Sequence, residues 1–95
     1  MAAPLVSVII PCYQSAGTIK QTLESVFRQT YSPIEVIAVN DGSTDGTASI
    51  LGQYIDTIHV TSQNNRGASA ARNTGFNKSS GAYILFCDDD VLLRQ

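Results

Sequence analysis

Three consecutive carboxylates, Asp88, Asp89 and Asp90, follow directly on the apolar run Ala82-Tyr83-Ile84-Leu85-Phe86-Cys87. An apolar run of that length reads as a buried strand, so the acids are expected at a sheet edge. Two like charges about 5 Å apart repel by roughly 3 kcal/mol at an effective dielectric near 20, so a shared cation is expected. Magnesium and manganese fit, because hard ions take carboxylate oxygens and complete their shell with substrate phosphates. The chemistry suggested is the holding of a metal-bound phosphate compound. Arg72 is the basic residue placed to join it. Its guanidinium either grips a diphosphate bidentately or pairs with an aspartate at the surface, and spacing alone leaves both readings open.

These residues need elements to position them. Residues 5–10 are short and β-branched and read as a buried parallel strand that Pro11 ends. Thr18 can cap a helix with Ile19, Leu23, Val26 and Phe27 on one face. Residues 34–39 form a second strand running into Asn40-Asp41-Gly42-Ser43. Thr44 or Asp45 then caps a helix carrying Ala48, Leu51 and Ile55, with Gly52 a weakness in its interior. Residues 58–61 are a third strand, residues 68–78 a third, alanine-rich helix, and the run before the aspartates a fourth strand.

Alternation of this kind means an α/β fold with an open, mostly parallel sheet. Right-handed crossovers give the strand order 3-2-1-4 with helices on both faces. The order reverses between strands one and four, and open sheets of this type bind ligands at the carboxyl ends beside such a reversal. Pro11, Cys12, Tyr13, Asp41 and residues 88–90 all fall there.

The 95 residues allow one domain, residues 1–95, and a modest core. With 43% hydrophobic residues, 15% charged and a formal charge of −2, the composition is that of a globular chain with no basic cluster for nucleic acid. Cys12 and Cys87 are expected to be reduced, and with no secretory signal or membrane span in view the expectation is a cytoplasmic protein. His59 reads as structural. Cys12 has no identifiable base. The Asp41 to Gly46 stretch starts like a calcium loop, but its twelfth position is Gly52 where a glutamate is needed.

The segments Val6 through Tyr13, Val39 through Thr47, Asn65 through Gly75 and Phe86 through Asp90 together resemble the donor-binding half of family 2 glycosyltransferases. That resemblance implies a nucleotide-diphospho-sugar transferase fold of the A type, Rossmann-like, and inverting transfer from a nucleotide-diphosphate sugar, foremost a UDP-sugar. The acceptor hydroxyl would belong to a glycan, lipid or polysaccharide. It implies that Pro11 and Tyr13 line the base pocket, that Asp41 contacts base or ribose, and that Arg72 lies near base and diphosphate. Asp88 would face the ribose and, with Asp90, carry Mn2+ or Mg2+ in an Asp-x-Asp signature. Period-two geometry agrees, with Asp89 turned away, if the segment stays extended.

Gln14 stands where the family commonly has asparagine, and Val91 where a further acid is frequent. In the family the catalytic base lies well beyond the metal motif, which here means beyond Gln95, so a donor-site fragment, inactive alone, is expected. The complete protein would be cytoplasmic or peripheral at the inner membrane face. The fourth strand would offer an edge for homo-oligomer formation. The competing readings are a nucleotide-binding module and a metal-dependent phosphoryl-transfer or phosphatase domain. The turn after strand one lacks the Gly-x-Gly-x-x-Gly spacing of a dinucleotide fold.

Overall fold

The computed structural model describes residues 3–91. Strands β1 (Val6–Cys12), β2 (Ile34–Asp41), β3 (His59–Gln63) and β4 (Tyr83–Phe86) alternate with helices α1 (Ile19–Phe27), α2 (Thr47–Gly52) and α3 (Ala68–Lys78). The strands form one sheet in the order β3-β2-β1-β4, as expected, and every pairing is parallel. Registers of Val6 with both Ile34 and Tyr83 align the amino ends of β1, β2 and β4. The carboxyl ends of the strands therefore share one margin.

Residue parity sorts the core into two layers. Val8, Ile10 and Cys12 of β1, with Val36 and Ala38 of β2, pack under Ile19, Leu23 and Val26 of α1 and Leu51 of α2. Ile37 and Val39 face the other way, toward Ala71 of α3. Helix α3 lies unusually close to the sheet. A Cβ added at Gly75 would run into Ile9 Cγ2 and come within 3.3 Å of Val39 Cγ2.

Several local expectations are corrected. Strand β1 does not stop at Pro11 but runs through it to Cys12. The Cys87 N–H donates to Ile9 O at 2.9 Å. Alternation along a parallel ladder would send the next donor on that side, the one Pro11 lacks, past the end of β4, where none is required. Thr18 precedes α1 without capping it. Phe27 is exposed, its ring tilted against Tyr54 at 5.8 Å. Gly52, expected inside α2, is its last residue, and Ile55 lies beyond the helix, 66% exposed. Glycine's low helix propensity accounts for the early end. The apolar run of β4 is not buried: Tyr83, Leu85 and Phe86 are exposed because, among the described residues, the helices pack over β1 and β2 and leave the faces of this edge strand largely uncovered.

A polar cluster at the opposite margin was not foreseen. Glu35 accepts hydrogen bonds from Ser7 Oγ (2.5 Å), Ser80 N (2.9 Å) and Ser80 Oγ (2.9 Å), and Ser7 Oγ accepts from Gly81 N (2.8 Å). His59 Nε2 lies 3.7 Å from Glu35, a structural place for the histidine. The cluster ties the α3–β4 connection to β1 and β2. Among the described residues, no helix is long and apolar enough to cross a membrane.

Gly75→Ala tests the close helix. Exchange of glycine for alanine in a helix should stabilise by up to about 1 kcal/mol, whereas overpacking against Ile9 should cost about 1–3 kcal/mol. Urea denaturation is expected to show net destabilisation. A gain would mean that α3 does not approach the sheet this closely.

Candidate functional site at the strand carboxyl ends

The end of β1 leads into a loop tied to both neighbours. Tyr13 is 52% exposed, and its backbone N–H donates to Asp89 Oδ2 at 3.0 Å. Gln14 adopts a left-handed backbone conformation with φ 52°, which costs a non-glycine residue about 1 kcal/mol or more. Four hydrogen bonds offset that cost. Its N–H donates to Ser43 Oγ (3.0 Å) and its Nε2 to Thr44 Oγ1 (3.0 Å), while its Oε1 accepts from the N–H groups of Thr44 (2.6 Å) and Asp45 (3.3 Å). The loop after β1 is thus clamped to the loop after β2. Asp45 adds to the clamp, accepting from Thr47 N (3.0 Å) and from Ala16 N (3.1 Å).

Asp41, the last residue of β2, is 2% exposed. Its Oδ1 accepts from Gln63 Nε2 and Arg66 N, both at 2.9 Å, and its Oδ2 from Gly67 N (2.9 Å) and Asn65 Nδ2 (3.3 Å). Burial alone would push this carboxyl up. The donors from Gln63 and the Arg66 and Gly67 backbone outweigh it, with the Arg66 charge adding to them, and hold the group below the ordinary 3.8. Asp41 therefore anchors the segment that leads into α3, a role its sequence position did not reveal. Gly42 makes the approach possible: at φ +74° it turns the chain where any Cβ would stand 2.6 Å from Asn65 N.

Arg72 lies on α3 one turn before Gly75, and its Nη2 is 3.8 Å from Asp88 Oδ1. The side chains are 39% and 66% exposed, so the pair is worth about 0–1 kcal/mol and yields readily to a better partner. Of the two sequence readings of Arg72, this contact is the surface pairing with an aspartate. The aspartates do not continue the strand. Asp88 O accepts from Val91 N (3.4 Å), closing a turn in which Asp89 points back at β1. The extended-strand condition fails, but Asp89 is still separated from Asp88 by its own partners.

Among the described residues no group of three or more His, Cys, Asp or Glu could enclose a metal ion. A hard divalent ion held by one or two carboxylates, with phosphates and water in its other positions, needs no such group. Asp88 and Asp90, both exposed, fit that donor set. Cys12 and Cys87 are free and buried. Burial, and then the Asp89 charge, push the Cys12 thiol up to about 12, so it stays protonated and is no nucleophile. Gln95, beyond which the catalytic base is expected, lies outside the described residues 3–91. A groove of about 320 Å³ lined by Val26, Phe27, Tyr31 and Ile34 lies at the start of β2, away from these groups.

Residues 7–95 match the family model described as Glycosyl transferase family 2. Glycosyltransferase GlyA of Streptococcus pneumoniae serotype 4 is 41% identical over 93 residues, covering 95% of this chain and 13% of that protein. The crystal structure of S. aureus TarS 1-349 in complex with UDP-GlcNAc superposes with a TM-score of 0.84 at 33% identity, over 90% of this chain and 26% of the other. The mannosyltransferase PcManGT from Pyrobaculum calidifontis, in complex with GDP-Man and Mn2+, gives a TM-score of 0.91 at 29% identity, over 99% of this chain and 30% of the other. The chain thus spans less than a third of the length of each of these proteins.

The depressed Asp41 carboxyl gives a pH prediction. Its contribution to stability is present above the unfolded value near 3.8 and is lost as pH falls through the lower folded value. Asp41→Asn should therefore destabilise the protein at pH 7 by about 1–3 kcal/mol and flatten the fall in stability below about pH 4. Equal pH dependence of denaturation in both proteins would remove Asp41 from that role.

Proposed function

This chain belongs to glycosyl transferase family 2, and on that premise we propose that it binds the nucleotide-diphosphate sugar donor of an inverting, metal-dependent sugar transfer. One observation carries the reading. The guanidinium of Arg72 and the Asp88–Asp90 turn, on separate elements, meet beside the end of β1, where open sheets bind their ligands. The ligands of the two solved relatives, UDP-GlcNAc and GDP-Man with Mn2+, support it.

In this proposal Pro11 and the exposed ring of Tyr13 line the base pocket. Asp41 serves base and ribose through the Gln63 to Gly67 segment, since four donors already occupy its carboxylate. Arg72 exchanges Asp88 for the diphosphate, for which its fork of donors is better matched. Asp88, on the ribose side, and Asp90 hold Mn2+ or Mg2+. When bound, the ion supplies charge neutralisation to the nucleoside diphosphate as it leaves. The acceptor hydroxyl attacks from the opposite face of the sugar and requires a general base, which this proposal puts beyond Gln95 in the full-length protein.

Calorimetric titration of the full-length protein with UDP in the presence of Mn2+ tests the site. Asp90→Ala is expected to weaken binding about tenfold or more, and Arg72→Ala by about tenfold. Binding unchanged in Asp90→Ala would remove that residue from the metal. Sugar release from a nucleotide sugar by the full-length protein is the expected activity. Release of inorganic phosphate instead would favour a phosphoryl-transfer enzyme.

A further inference from the structure

We propose that Asp89, the middle acid of the three, is a positioning residue and not a metal ligand, acting as a latch that fixes the Asp88–Asp90 turn to β1 and α1. The inference rests on the donor-site reading above and adds to it. Asp89 meets the rest of the chain at two separate groups. Its carboxylate accepts from the backbone N–H of Tyr13 at 3.0 Å. Its backbone carbonyl accepts from two hydroxyls, Thr18 Oγ1 at 2.9 Å and Thr22 Oγ1 at 3.0 Å.

The two threonines stand four residues apart and so share one face of α1 as it begins. Thr22 is 1% exposed, and a hydroxyl buried without an acceptor costs about 1–3 kcal/mol. Thr18 and Thr22, with buried Ser25 next along the same side, run beside Ile19, Leu23 and Val26, and the two threonines serve there as donors aimed at one carbonyl. Thr18, which leaves its cap position unused, is explained by the same bonds.

The consequence concerns distance. The turn beyond β4 carries the flanking carboxylates, and β4 itself is held to the sheet by one neighbour. With Asp89 fixed at both its backbone and its side chain, Asp88 and Asp90 project from a platform whose separation from Tyr13 cannot drift. The base-facing ring and the acid pair become two ends of one rigid unit. Metal-bound phosphates reach the acids only at a set spacing from the base, and the latch sets that spacing.

Three variants of the full-length protein separate this role from ligation, read by Mn2+ binding alone, by UDP binding with and without Mn2+, and by thermal unfolding. Asp89→Asn keeps an oxygen to accept from Tyr13 and removes the charge; it should bind Mn2+ and UDP within about threefold of the parent, as a latch allows and a ligand does not. Asp89→Ala removes the acceptor, and the double variant Thr18→Val with Thr22→Val removes both hydroxyls while leaving all three acids. Both should weaken Mn2+-dependent UDP binding by about tenfold and leave the weaker metal-free binding of UDP unchanged. The double variant keeps the test open should Asp89→Ala fail to fold. The latch is overturned if Asp89→Asn loses as much as Asp90→Ala, or if the threonine variant keeps the parent's affinity. Should Asp88→Ala and Asp90→Ala also bind normally, the donor-site reading falls with it; should they lose binding while the latch variants do not, only the latch falls.

Discussion

The tight seating of α3 on the sheet is the constraint from which the site follows. Gly75 lets the helix backbone come down on Ile9, and Ala71, one turn earlier, fills the remaining space against β2 without lifting it. A larger residue at either position would raise the helix and carry Arg72 with it. Because Arg72 sits three residues before Gly75, its distance from the aspartates is set by packing at a place that touches no ligand. Interiors packed at crystal-like density transmit such a displacement and do not absorb it.

Two polar arrangements complete the frame, one buried at Asp41 and one exposed at Gln14. Asp41 gathers the chain between β3 and α3, so that the helix starts where its packing needs it to start. Gln14 does the same for the loops following β1 and β2, at the cost of an unfavourable backbone angle. In both cases one side chain satisfies several backbone donors that a glycine-rich or turning segment leaves without partners, which is what makes irregular chain rigid enough to carry a site. Membership of family 2 places these arrangements in a nucleotide-sugar fold.

Much of this was legible in the sequence, and the reasons are physical. Strand order followed from alternation and crossover handedness, and the convergence of Arg72 with Asp88 followed from the order. Short apolar runs gave the buried strands β1 and β2, and helical spacing gave the buried face of α1 apart from Phe27. What neither could give was the exposure of β4, since a run of apolar residues reads alike in a central strand and at an edge. Nor could composition show that Asp41 faces inward to four donors or that Asp89 points back at Tyr13, because both depend on partners more than twenty residues away. Thr18, Thr22 and Ser25 did leave a trace, as hydroxyl residues at helical spacing beside the apolar Ile19, Leu23 and Val26.

Strand β4 has only four residues and a single flanking neighbour, matched from Val6 with Tyr83 to Ile9 with Phe86. A slip of two residues would preserve which side chains point up and which down, so hydrophobic pattern alone offers little resistance to it. Yet such a slip would carry everything beyond the strand along by about 7 Å, roughly the length of a pyrophosphate. In the proposed donor site the phase of this short ladder is thus a ruler for the ligand, and the contacts that fix it lie outside the ladder itself.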